Sequence, residues 1–230
     1  MIDLFKGDTR LIIDACRKRD LLRNQVAYVL ATVQWETAWT MQPINEAGGP
    51  AYFKRMYDKD GNRPHVARRL GNTVKGDGVR FHGRGYVQIT GRSNYRRAGE
   101  EIGVDLVARP EDALQPEYAA PILVTGMVEG WFTGRKLSDY ITLNRSDFKG
   151  ARRIINGADR DDEIAAIAAD FDKTLKAKGY GVSAKTLPRA QPPGKPPGAP
   201  PGVDQSFWHS YRQSFWTTIA AFIGRLFHRR

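Results

Sequence analysis

From Thr9 onward apolar residues return at steps of three and four: Leu11, Ile12 and Ala15, then Leu21, Leu22, Val26, Val29, Leu30 and Val33. Side chains at those steps share one face of a helix, so the pattern predicts helices over about 9–17 and 21–37. Pro43, Gly48, Gly49 and Pro50 then interrupt it, and 43–78 reads as irregular chain apart from one short helix over 51–57. A long irregular stretch in a compact domain usually lines a site. Residues 79–90, VRFHGRGYVQIT, set β-branched and aromatic side chains around two glycines and predict a short strand or hairpin. Helices are expected again near 93–102 and 117–132, the second rich enough in Ala, Leu, Val and Met to be core. A last helix over 161–178 would be capped by Asp159 or Asp161 and bury Ile164, Ile167, Phe171 and Leu175. The expected class is mainly α with a small β element.

Beyond Tyr180 the pattern changes twice. The run PRAQPPGKPPGAPPG holds seven of the thirteen prolines, with glycine every fourth residue, whereas a collagen helix needs one every third. It reads as a polyproline-type spacer that could reach roughly 45 Å. After it, Trp208, Tyr211, Phe215, Ile219, Phe222 and Leu226 fall on one helical stripe, with Trp216 beside it and Arg225 interrupting the apolar run. That run is too short to span a bilayer, and an amphipathic helix lying in a membrane surface is expected, with Trp208, Phe215, Trp216, Phe222 and Arg225 as the lipid contacts. The alternative is a helix folded back onto the domain. The chain therefore divides into a folded domain over 1–182, a Pro/Gly-rich linker over 183–204 and a basic amphipathic tail over 205–230.

Charge sharpens this division. The net charge is +11, and residues 185–230 hold seven Lys/Arg against one acid, leaving 29 against 24 for residues 1–184. Such an excess favours polyanionic partners: an anionic membrane or lipopolysaccharide for the tail, or an acidic cell wall. Nucleic acid is not expected, because 24 acids dilute the charge of the domain and no recognition motif is present. The single cysteine, Cys16, allows no intramolecular disulfide, and four scattered histidines show no metal-ligand spacing. No metal and no cofactor are expected. The glycines of GDGVRFHGRG match neither phosphate-loop spacing. Residues 1–20 lack the uninterrupted apolar region of a secretory signal, so synthesis in the cytoplasm followed by release to the cell wall or periplasm is expected.

Two carboxyls lie among aromatic and small residues instead of on charged faces: Glu36 in VQWETAW and Glu46 in QPINEAGG. Glu36, beside Trp35 and Trp39, would be partly desolvated and so suited to proton donation, whereas Glu46 in its turn-rich segment would stay solvated and ionised. Carboxyls with separated pKa values across a cleft can hydrolyse a glycosidic bond. Arg84, with Arg80 and Arg92 nearby, would orient cleft residues or meet anionic groups. Trp131 and Phe132 end an apolar helix and read as core.

The runs ATVQWETAWTMQPINEAGG, FHGRGYVQITGRSNY and, later, ARRIING together resemble glycoside hydrolase family 19, in particular its compact bacterial and phage endolysin-type members, over about residues 9–180. The resemblance implies an α-rich, lysozyme-like domain. It implies Glu36 as general acid, Glu46 as general base, Thr90 as the hydroxyl that helps hold the attacking water, and Gln88, Asn94 and Asn156 as sugar contacts. Arg84 joins them as a candidate substrate contact. Where many members read His-Glu-Thr followed by glycine, this chain reads Trp35-Glu36-Thr37-Ala38. The expected activity is inverting cleavage of β-1,4 bonds in peptidoglycan by a monomer. A true chitinase is the alternative, and a non-catalytic protein that binds wall and disrupts membrane is the alternative of another class.

Overall fold

The computed structural model describes residues 2–181. The expected linker and tail, with Trp208, Phe215, Trp216, Phe222 and Arg225, lie outside the described residues. In chain order the elements are α1 (Thr9–Lys18), α2 (Arg23–Glu36), β1 (Ile44–Asn45), α3 (Pro50–Tyr57), α4 (Pro64–Arg69), α5 (Asp77–Arg80), β2 (Arg84–Gly85), α6 (Arg92–Ile102), α7 (Pro116–Glu129), α8 (Leu137–Tyr140), β3 (Ile141–Thr142), β4 (Arg145–Ser146), α9 (Phe148–Ala151) and α10 (Asp161–Ala177), with 3-10 turns at Pro110–Leu114 and Arg152–Ile154. The class is mainly α, as the periodicity predicts.

The core forms around α2, whose residues Val26 to Leu30 and Val33 are fully buried. A helix apolar on every side must be surrounded. Here α10 packs along it, and Arg23 at the start of α2 binds Asp172 of α10 through both Nε and Nη2, at 2.8 and 3.3 Å. A second, smaller cluster (Phe53, Met56, Tyr57, Val66 and Leu70) gives α3 and α4 a core of their own.

Four expectations need correction. The 43–78 stretch contains α4 as well as the short helix near 51–57: Pro64 starts it, as proline can where no helical N–H is needed, but Val66, Ala67 and Leu70 are too few to show a period. Val79 and Arg80 belong to the helical turn α5, so the expected strand shrinks to β2, which pairs antiparallel with β1 in the register Ile44↔Gly85 and Asn45↔Arg84. The hairpin survives as a tight turn closed by reciprocal Arg84 and Ile89 backbone bonds of 3.2 and 3.0 Å. Helix α7 stops at Glu129 because Gly130 adopts φ +77 as its left-handed cap, which leaves Trp131 and Phe132 beyond the helix. Finally, neither Asp159 nor Asp161 caps α10. Arg160, at φ +58, precedes it without a side-chain cap, and Asp161, Asp162 and Glu163 instead place negative charge on its first turn.

Candidate active site

Glu46 follows β1, and its surroundings are built by the pairing of β1 with β2. Its backbone N–H donates to Gly83 O at 2.8 Å, and its carboxylate accepts from Gly83 N at 3.0 Å and from the Tyr57 hydroxyl at 2.5 Å. A Cβ at Gly83 would stand 3.0 Å from Glu46 Oε2 and 2.9 Å from Gln88 Oε1, so any side chain there would push these two groups aside. Only 3% of Glu46 is exposed. Burial is the largest influence on its carboxyl and pushes the pKa up to about 6, against the two hydrogen bonds that favour the ionised form. The sequence expectation of a solvated Glu46 is thereby reversed. Next to it His82 stacks on Phe53 at 4.3 Å between centroids and holds Val79 O at 2.7 Å through Nδ1. Burial lowers its pKa from the ordinary histidine value.

Gln88, Thr90 and Asn94 continue this wall. Gln88 Nε2 donates to Ile44 O and Gly85 O, fastening the hairpin to β1. Thr90 Oγ1 donates to Gln88 O at 3.0 Å, and Asn94 Nδ2 donates to Thr90 O at 2.7 Å from the first turn of α6. Gln88 occupies φ +59 without being glycine, a conformation that costs about 1–3 kcal/mol and tends to persist where the surroundings enforce it. A pocket is lined by Gln88, Thr90, Asn94, Arg97, Trp131 and Phe132. Trp131 and Phe132, read from sequence as core, thus also face this pocket. Arg84 is turned inward, its Nη1 donating to Arg80 O and to the Tyr95 hydroxyl, both at 2.9 Å, so it holds the wall together from behind.

Glu36 is the last residue of α2 and is fully buried, not partly desolvated as expected. Its Oε1 accepts from Arg152 Nη1 at 2.7 Å, an ion pair with side chains 1% and 0% exposed. Arg152 Nε donates to Asp159 O, and Asn156, two residues past the same 3-10 turn, donates its N–H to Arg152 O at 2.9 Å. Past Glu36 the chain turns sharply: Ala38, Trp39 and Met41 have φ of +48, +67 and +58. Ala38 thus holds a left-handed backbone of the kind glycine adopts most readily. Trp39 is 45% exposed with its ring 5.2 Å from that of Trp35.

The candidate residues thus fall into two groups: Glu46, Gln88, Thr90 and Asn94, with Arg84 behind them, and Glu36 with Asn156 around Arg152. The stretch after α7 connects them, since Trp131 and Phe132 line the first group's pocket while Thr133 Oγ1 donates to Arg153 O and Ile154 O beside the second. Sequence reasoning missed Tyr57, Gly83 and Arg152. Tyr57 could have been found as the residue four after Phe53 on the buried face of the predicted helix. Arg152 could have been found as a cation set among Ala151, Ile154 and Ile155, four residues before Asn156.

Comparison with known proteins adds a relationship to this geometry. The profile of glycoside hydrolase family 19, described as chitinase class I, matches residues 14–131, a span holding both candidate carboxyls and the Gln88–Asn94 wall. Chitinase 3 of Oryza sativa subsp. japonica is 32% identical over 94 residues, which cover 40% of this chain and 29% of that protein. Chitinase C from Streptomyces griseus superposes with a TM-score of 0.54 at 18% identity, covering 73% of this chain and 69% of its own. At that identity the likeness is one of fold.

Proposed function

Because the chain belongs to glycoside hydrolase family 19, the class I chitinases, we propose that it is an inverting glycosidase that cleaves β-1,4 bonds of bacterial peptidoglycan. The observation that carries this reading is the burial of the two family-matching glutamates in separate polar mounts, Glu36 on Arg152 and Glu46 on Tyr57 and Gly83. Glu36 protonates the glycosidic oxygen, so the leaving sugar departs neutral. Glu46, ionised above about pH 6, takes a proton from the water that attacks the opposite face of the ring, and Thr90 helps hold that water. Inversion by this single displacement needs the carboxyls roughly 6.5–9.5 Å apart in the working complex. Both are covered in the free protein, so substrate binding must open the site.

Two features favour peptidoglycan over chitin: a net charge of +11, which attracts an anionic wall and gains nothing from a neutral polymer, and the resemblance to endolysin-type sequences. The tail over 205–230 would concentrate the enzyme on anionic membrane or lipopolysaccharide.

Mass spectrometry of soluble products from peptidoglycan and from chitin oligomers, with wild type and Glu36→Gln, tests the proposal. Fragments ending in reducing N-acetylmuramic acid from the wild type alone support it. Chitin fragments alone would establish a chitinase. No new reducing ends from either polymer would sink hydrolysis, and the non-catalytic reading then requires that Glu36→Gln still lyse cells while deletion of 204–230 abolishes lysis.

The environments favour one further reading, with the roles of the carboxyls exchanged. Burial favours the protonated form of Glu46, whereas Glu36 is ion-paired with Arg152. A substrate with an activated leaving group decides, because it restores the rate of whichever variant, Glu36→Gln or Glu46→Gln, lacks the acid.

A further inference from the structure

Arg97 lies one turn beyond Asn94 on α6, on the same face, and lines the pocket of Thr90 and Asn94. Its guanidinium sits over the Trp131 ring, 4.6 Å from the centroid. The indole holds this cation without neutralising it. The carboxylates whose charge reaches Arg97 are Glu129 and Glu101, and both are engaged elsewhere. Arg19 binds Glu129 at 3.1 Å and Glu101 at 3.4 Å, and Trp131 Nε1 donates to the other oxygen of Glu129 at 3.0 Å. Among the described residues Arg97 makes no ion pair, which is also true of Arg10 and Arg55 over their own aromatic rings; what sets Arg97 apart is its place beside Thr90 and Asn94.

We infer that Arg97, seated on Trp131 at the rim of the Thr90–Asn94 pocket, is a specificity residue that binds a carboxylate carried by the glycan. The inference rests on the cell-wall reading above and deepens it. N-acetylglucosamine is neutral and offers a guanidinium nothing beyond hydroxyls and an amide. N-acetylmuramic acid carries a lactyl group on O3, whose carboxylate is free in stem-free strands. In stem-bearing strands that group is an amide, and the carboxylates lie on the peptide. Either presents two oxygens that match the planar donor fork of arginine.

Equilibrium binding by the full-length Glu46→Gln protein tests this without turnover. The probes are stem-free strands and stem-bearing strands, each as the free acid and as its methyl ester. With Arg97 present, the acid form of at least one strand type should bind about tenfold more tightly than its ester, as a single charge-assisted contact of about 1.4 kcal/mol gives. The strand type that shows the preference identifies the source of the carboxylate. Adding Arg97→Gln should reduce the preference to nearly one, and Arg97→Lys should retain part of it. Arg96→Gln removes the same charge from an exposed neighbour and should keep the preference, which separates a site from the general attraction of a basic chain. Equal binding of acid and ester, a preference that survives Arg97→Gln, or an equal loss in Arg96→Gln would overturn the inference. Cleavage by the wild type is scored separately. Turnover without an Arg97-dependent preference defeats this inference alone, and the preference without turnover defeats only the hydrolytic reading.

Discussion

Glu46 shows how a single side chain can place function and stability in opposition. Its pKa stands at about 6 because burial disfavours the carboxylate more than Tyr57 and Gly83 favour it. In the proposed role of general base it has to be ionised, so kcat/KM should rise with pH through an acidic limb near 6. Tyr57→Phe removes a hydrogen bond to the charged form and should move that limb to higher pH, which a pH–rate profile will show. The sign for stability is opposite. A carboxyl whose folded pKa is raised contributes stability that is complete below its unfolded pKa and lost as pH rises through the folded value. Between an ordinary 4.5 and about 6 this amounts to about 2 kcal/mol. Glu46→Gln should therefore abolish turnover yet unfold at higher urea than wild type at pH 8, with little difference at pH 4.5.

At the scale of elements, the Glu36–Arg152 pair joins the end of α2 to the turn that precedes α10, across 116 positions of sequence. Removing one partner of a buried pair strands the other charge, which costs about 3–5 kcal/mol. Arg152→Met should lower stability by that amount in urea denaturation at pH 7. Adding Glu36→Gln to Arg152→Met should recover a large part, since no unpaired charge then remains. A double mutant as unstable as the sum of the singles would show that the ion pair contributes nothing beyond packing. The β elements show why short structures escape prediction. Strands β1 to β4 have two residues each, too few for alternation to register, and the β1–β2 pair exists because residues 44–45 and 84–85 meet across the fold. Helices α1, α2, α6, α7 and α10 are long enough for their spacing to show, and errors there are confined to ends set by Gly130 and Arg160.

For the whole molecule, the proposed division into a domain and a basic aromatic tail yields its own prediction. A protein ending at residue 181 should cleave soluble glycan strands as the full chain does, and should lose most binding to anionic phospholipid vesicles at physiological salt. Equal vesicle binding by both proteins would assign the membrane affinity to the domain.

What the sequence determined by itself was whatever is local: the helical class from apolar steps of three and four, the break at Pro43 to Pro50, and the motif runs that carry Glu36, Glu46, Gln88, Thr90, Asn94 and Asn156. Only the tertiary structure decided how each glutamate is held. Solvation and pairing depend on groups distant in sequence: Tyr57 and Gly83 for Glu46, Arg152 for Glu36. Glu46, expected in water because its segment is polar and turn-rich, is buried because β2 and α3 close over it. A carboxyl's charge state follows from everything packed around it, and neighbours along the chain are only a small part of that.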